Sequence, residues 1–189
     1  MHHIDVSSVL RQTLACDLYS NLVTRPTGAA VRGQIELLLS ESDDERSLTV
    51  IDFSHVSMID FSCADEVVAK LLIRYAAEDP PREAYFLFRG VGESHRDAIE
   101  SVLERHGLAL AIEEANGVSL LGVLTDVERQ TWDATYRFGP ADAGEIARAI
   151  GVGDEETRTV LSDLGRRRLV MRFSDGHYIA VGSPHEYHE

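Results

Sequence analysis

One hydroxyl lies among three carboxylates in Asp60-Phe61-Ser62-Cys63-Ala64-Asp65-Glu66. A serine with an acid three residues on can cap a helix, its oxygen accepting from an amide of the first turn. On that reading Ser62 satisfies orphan donors and does nothing more. Asp60, Ser62, Asp65 and Glu66 could instead form a polar patch for a partner, or line a cleft in which Asp60 and Ser62 meet a small ligand or substrate. A second group is basic: Arg166, Arg167 and Arg168 are consecutive and Arg172 follows, while Arg158 and Thr159 lie upstream behind Glu155 and Glu156. Guanidinium groups so placed suit phosphate oxygens. Two acids at the front suit a polyanion poorly. The eight histidines show no helical i, i+4 pair with a carboxylate, and His185 and His188 sit in a polar tail. Gly90-Val91-Gly92-Glu93-Ser94 reads as a turn before a helix. The sequence shows no P-loop, dinucleotide fingerprint, nucleophile elbow or Cys/His constellation, so it predicts no enzyme, no cofactor and no metal.

The elements that must position these residues follow from periodicity. Leu48, Val50, Ile51 and Phe53 form an apolar strand, and Val67, Val68, Leu71, Leu72 and Tyr75 carry a helical period. Asp60-Phe61-Ser62 falls at the joint between them. Before it, Asp5–Val23 reads as one or two strands. Pro26 and Thr27 introduce a helix over about Gly28–Ser40, with Val31, Ile35 and Leu38 on one stripe, and Glu41–Arg46 is a charged loop. After it, Asp79-Pro80-Pro81 stops the chain and Ala84–Phe88 is a strand buried on both faces. Ser94 opens a helix over about His95–His106, with Gly107 as its stop. Leu108–Ile112 and Val118–Val123 flank Asn116-Gly117, a strong hairpin signal. The alternation predicts an α/β sandwich, helices against a mixed sheet.

Leu124–Ala134 reads as a connecting helix around Trp132, the only tryptophan. Asp142 with Glu145 opens a short helix, and Gly151-Val152-Gly153 turns the chain. Asp154 caps a second helix, and Leu169–Phe173 and His177–Val181 flank Ser174-Asp175-Gly176. The expected boundaries are residues 1–123 for the α/β domain, 124–137 for a connecting helix and linker, 138–184 for a small helical domain with a hairpin, and 185–189 for a tail.

The formal net charge is −14. Residues 133–189 carry 7 Lys+Arg against 10 Asp+Glu, and residues 1–132 carry 11 against 22. Such a field repels polyanions and argues against generic binding to nucleic acid or anionic lipid. No run approaches the roughly 18 apolar residues of a membrane span, and Met1-His2-His3-Ile4-Asp5 lacks the regions of a signal peptide. The expectation is a soluble, cytoplasmic protein. Cys16 and Cys63 fit reduced, buried thiols.

At the strand–loop–helix joint the sequence resembles STAS domains, the fold of anti-sigma-factor antagonists, which carry a buried strand, D-x-S and a helix. Asp60-Phe61-Ser62 matches that motif. Cys63-Ala64-Asp65-Glu66 replaces the usual Gly-Leu-Gly and looks more like bacterial STAS-like domains with a "DF…FADE" pattern. The resemblance spans roughly residues 5–122. It implies Ser62 as the phosphoacceptor of a signalling member, and a regulatory protein partner of the kinase or anti-sigma type. A phosphate there would gain from the helix dipole yet sit close to Asp60, Asp65 and Glu66, whose repulsion could remodel or mask the surface. Residues of about 138–181 resemble the winged-helix family, with the helix Glu155–Arg168 in the recognition position. That implies either protein interaction and dimerisation, or a transcription regulator that touches DNA through Arg158, Thr159, Arg166, Arg167, Arg168 and Arg172. The sequence therefore predicts a non-enzymatic regulator. The alternatives are a DNA-binding factor and a ligand-binding or enzymatic cleft near Asp60 and Ser62.

Overall fold

The computed structural model describes residues 2–14, 21–41 and 46–185. Cys16, most of the loop at 41–46, and His188 with most of the tail lie outside the described residues. The chain divides into two compact units, Met1–Gly122 and Val123–Glu189.

The first unit begins with strand β1 (His2–Asp5) and passes at once into helix α1 (Val6–Leu14). Strands were expected here, but Val6, Val9 and Leu10 bury one helical stripe. Asp5 starts the helix, its Oδ1 accepting from the Ser7 amide at 2.9 Å and the Ser7 hydroxyl at 2.8 Å. Strand β2 (Asn21–Leu22) leads into α2 (Arg25–Ser40). That helix starts earlier than expected, with Thr24 rather than Thr27 at the cap. Pro26 sits in the first turn, where a missing N–H costs no helical bond.

Next come β3 (Arg46–Asp52), the short β4 (Met58–Ile59) and one helical rod. The rod comprises α3 (Phe61–Ala64), a π-helical turn (Asp65–Ala69) and α4 (Lys70–Ala76). Strand β5 (Glu83–Arg89), helix α5 (Glu93–His106) and the hairpin β6 (Ala109–Glu114) and β7 (Gly117–Gly122) complete the unit.

The sheet order is β1-β3-β5-β6-β7, parallel from β1 to β6 and antiparallel at β6–β7, so the unit is α/β with a mixed sheet. Beside it, β2 and β4 form a small parallel pair, Asn21 opposite Met58 and Leu22 opposite Ile59. Ile51, Phe53, Phe86, Phe88 and Ile112, from alternate strand positions, share one core with Ile35, Val67, Leu71, Ile99 and Leu103 of the helices. Full burial of such a side chain is worth roughly 1.5–3 kcal/mol. Helix α5 is opened by Gly92 and not by Ser94. The Gly92 carbonyl accepts from the His95 amide at 3.0 Å, and the Gly92 amide donates to His95 Nδ1 at 3.1 Å. Buried His95 then donates from Nε2 to the Val56 carbonyl at 2.8 Å, which pins the β3–β4 connection.

In the second unit, α6 (Asp126–Phe138) starts at a capping box of Thr125 and Glu128. Residues 124–137, expected as a connecting helix and linker, are helical over most of their length and belong to this unit. Trp132 is buried and donates from Nε1 to the Leu169 carbonyl at 2.9 Å. Helix α7 (Ala143–Ile150) has the expected Asp142–Glu145 box and ends at left-handed Gly151. Helix α8 (Asp154–Arg166) starts one residue earlier than expected, with Gly153 at its cap. Strands β8 (Val170–Arg172) and β9 (Tyr178–Ala180) pair antiparallel, and Ala141 bridges to Tyr178 beside them. Ile146, Ala147, Leu161, Leu164, Val170 and Val181 are buried.

Candidate functional site at the start of helix α3

The β2–β4 ladder brings Thr24 and Asp60 side by side. Just past its last pair, the Asp60 amide donates to the Leu22 carbonyl at 2.9 Å, and the Thr24 amide donates to Asp60 Oδ2 at 3.0 Å. The backbone of Asp60 is extended, and its Oδ1 accepts from the Cys63 amide at 2.8 Å and the Ser62 hydroxyl at 2.9 Å. Asp60 is therefore the cap of α3. The capping role expected of Ser62 is corrected: Ser62 lies inside the first turn, half-buried, and donates to the cap. Burial raises the Asp60 carboxyl, but the amides of Thr24 and Cys63 and the Ser62 hydroxyl outweigh it and hold Asp60 below the usual carboxylate range.

Asp65 and Glu66 are 6% and 2% exposed, so they are not the surface contacts the sequence led one to expect. The π-helical turn starts at Asp65 and seats both acids among basic side chains. Arg25 Nη1 lies 2.7 Å from Asp65 Oδ2 and 2.7 Å from Glu66 Oε1. His106 Nε2 lies 2.7 Å from Asp65 Oδ1, Arg32 Nη2 lies 3.3 Å from Glu66 Oε2, and Lys70 Nζ pairs with Glu66 Oε1. Burial raises both carboxyls. Arg25 and His106 then pull Asp65 below its ordinary value, and Lys70 and Arg25 do so for Glu66. Buried carboxylates persist as anions only when paired in this way.

Sequence reasoning missed Arg25, Arg32 and His106 as members of this cluster. Only the i, i+4 pair Glu66–Lys70 was locally legible. Gly28 belongs to the same contact: a Cβ there would lie 2.9 Å from Cys63 Cα, so α2 can cross α3 this closely only at glycine. Burial pushes the Cys63 thiol up to about 12, and its Sγ donates to the Thr24 carbonyl at 2.9 Å. It is a packed thiol and not a nucleophile. Met58 on β4 and Phe61 at the start of α3 are exposed, and the Arg105 guanidinium stands 5.6 Å from the Phe61 ring.

In the second unit Glu155, Glu156, Arg158 and Thr159 are exposed on α8, with the Thr159 hydroxyl donating to the Glu155 carbonyl at 3.0 Å. Arg166 is exposed and paired with Asp163, and Arg172 lies on the hairpin, 5.9 Å from the Tyr178 ring. Arg167 is not available as a phosphate contact. It donates to Glu128 Oε1 at 2.9 Å and the Val123 carbonyl at 2.5 Å, tying the end of α8 to the start of α6. Arg168 is half-buried in the left-handed region, at φ 61°. Gly90 is a turn residue as expected, at φ 68° and packed on Ser54. Among the described residues no group of three or more His, Cys, Asp or Glu is disposed to hold a metal, and no helix is long and apolar enough to cross a membrane. No family model matches the chain, and no curated protein matches it.

Proposed function

We propose that the chain is a non-enzymatic regulatory protein of bacterial type, whose first unit is STAS-like and binds a protein partner at the start of α3. The reading extends to Ser62 as an on/off phosphoacceptor and to a kinase or anti-sigma-type protein as the partner. The observation that supports it most is the Ser62 hydroxyl itself, half-buried, bonded to the helix cap Asp60 and next in the chain to exposed Phe61. A dianion added there would break the bond to Asp60 and place new charge beside exposed Phe61. Against a ligand or substrate cleft stands the engagement of both Asp60 oxygens with Thr24, Cys63 and Ser62.

The second unit is read as a winged helix, supported by α7, α8 and the β8–β9 hairpin in that order and by the Ala141–Tyr178 bridge. Protein interaction or dimerisation is its favoured role, given the acidic start of α8. Exposure of Arg158, Arg166 and Arg172 favours DNA contact as the second reading. The test is a pull-down from the native host with wild-type, Ser62→Ala and Ser62→Asp chains, with thermal melts alongside. Loss of a partner with Ser62→Asp, at unchanged melting temperature, is the expected result. Equal binding by all three, with Ser62 unmodified under every growth condition by mass spectrometry, refutes the switch.

A further inference from the structure

Ser62, Asp65 and Glu66 are spaced i, i+3 and i+4, so their side chains leave the rod on one side. Arg25 reaches that side from α2 and holds both acids with one nitrogen, yet its side chain remains 47% exposed. The Asp60 carboxylate links the same two places. One oxygen takes the Ser62 hydroxyl and the other takes the amide of Thr24, the residue before Arg25. Helix α2, 16 residues long, has no acid in its own first turn, so its N-terminus favours added negative charge.

We propose that Arg25 is the receptor of a phosphoryl group on Ser62, and that it leaves Asp65 and Glu66 to take it. The inference rests on the switch reading above. Transfer from a nucleoside triphosphate by a kinase forms the Oγ–P bond and breaks the terminal P–O bond of the donor. The nucleoside diphosphate leaves, and the hydroxyl proton passes to the kinase's base. The modified oxygen can no longer donate to Asp60, and the dianion faces three carboxylates. A planar guanidinium with a second free edge is the strongest local partner for it. The move strands neither acid, since Asp65 keeps His106 and Glu66 keeps Arg32 and Lys70. Phosphorylation would thus be felt at the base of α2 as well as at the start of α3.

The experiment is a phosphorus NMR titration of the full chain with phosphoserine installed at position 62, in wild-type, Arg25→Gln and Arg105→Gln backgrounds. Arg105 is the control because it is the cation over Phe61. The second ionisation of the phosphate should be about one pH unit lower in wild type than in Arg25→Gln. The Arg105→Gln chain should titrate like wild type. Equal midpoints in wild type and Arg25→Gln, or a shift that follows Arg105, overturn the proposal. If Arg25→Gln does not fold, the wild-type midpoint is compared with that of the same chain in urea, and equality there overturns it too. Because the phosphate is installed, the outcome depends on neither kinase nor partner. An unmodified Ser62 in the host would sink the switch reading and leave the titration result standing.

Discussion

Asp60 accepts from two amides and one hydroxyl, whereas Ser62 contributes a single bond to it. Asp60→Ala should therefore cost about 1–3 kcal/mol and Ser62→Ala less than about 1 kcal/mol. Urea denaturation measures both, and a larger loss at Ser62 would return the cap to that residue. The acids also set a pH dependence. Asp60, Asp65 and Glu66 are all held below their ordinary values in the folded chain. The folded state therefore binds protons less readily than the unfolded one. The stability these groups contribute is complete above about pH 5 and is lost as pH falls through their lower folded values. The urea midpoint should fall steeply below about pH 4. Asp65→Asn should lower it at pH 7 and flatten that fall.

At the scale of elements, α6 is the test of where the second unit begins. Trp132 is buried and bonded to the carbonyl of Leu169, the residue before β8, and Arg167 clamps Glu128. A fragment of residues 123–189 should fold, with buried tryptophan fluorescence and a cooperative melt by circular dichroism, and a fragment of residues 139–189, which lacks Trp132, should show no cooperative melt. Folding of the shorter piece would restore 124–137 as a linker. Much of this layout is written locally. Ala84–Phe88, Asn116-Gly117, the Asp142–Glu145 box and Gly151 each act within a few residues, and the structure places elements where they imply. Helix α1 escaped notice because β1 enters it with no turn residue between, although Val6, Val9 and Leu10 have helical spacing. The charged cluster was illegible for another reason: Arg25 and His106 meet Asp65 across 40 and 41 residues of sequence. No local pattern encodes that, and adjacent acids read by default as a solvated face.

For the whole molecule, charge weighs on the DNA reading. The net −14 leaves few cations to release counterions from a duplex, and Arg167 is already spent inside the fold. The full chain should bind random duplex DNA weakly at physiological salt. If binding proves tight, Arg166→Ala and Arg172→Ala should each reduce the salt slope by about one. Fluorescence anisotropy across a salt series decides between these outcomes. His2–Asp5 forms the outer strand of the sheet, pairing in parallel with Thr49–Asp52. A chain shortened by its first five residues would leave the ladder of β3 open along that side. Bare edges of this kind recruit strands from other molecules, so trimming at this end should turn a well-behaved protein into one that self-associates in a concentration-dependent way.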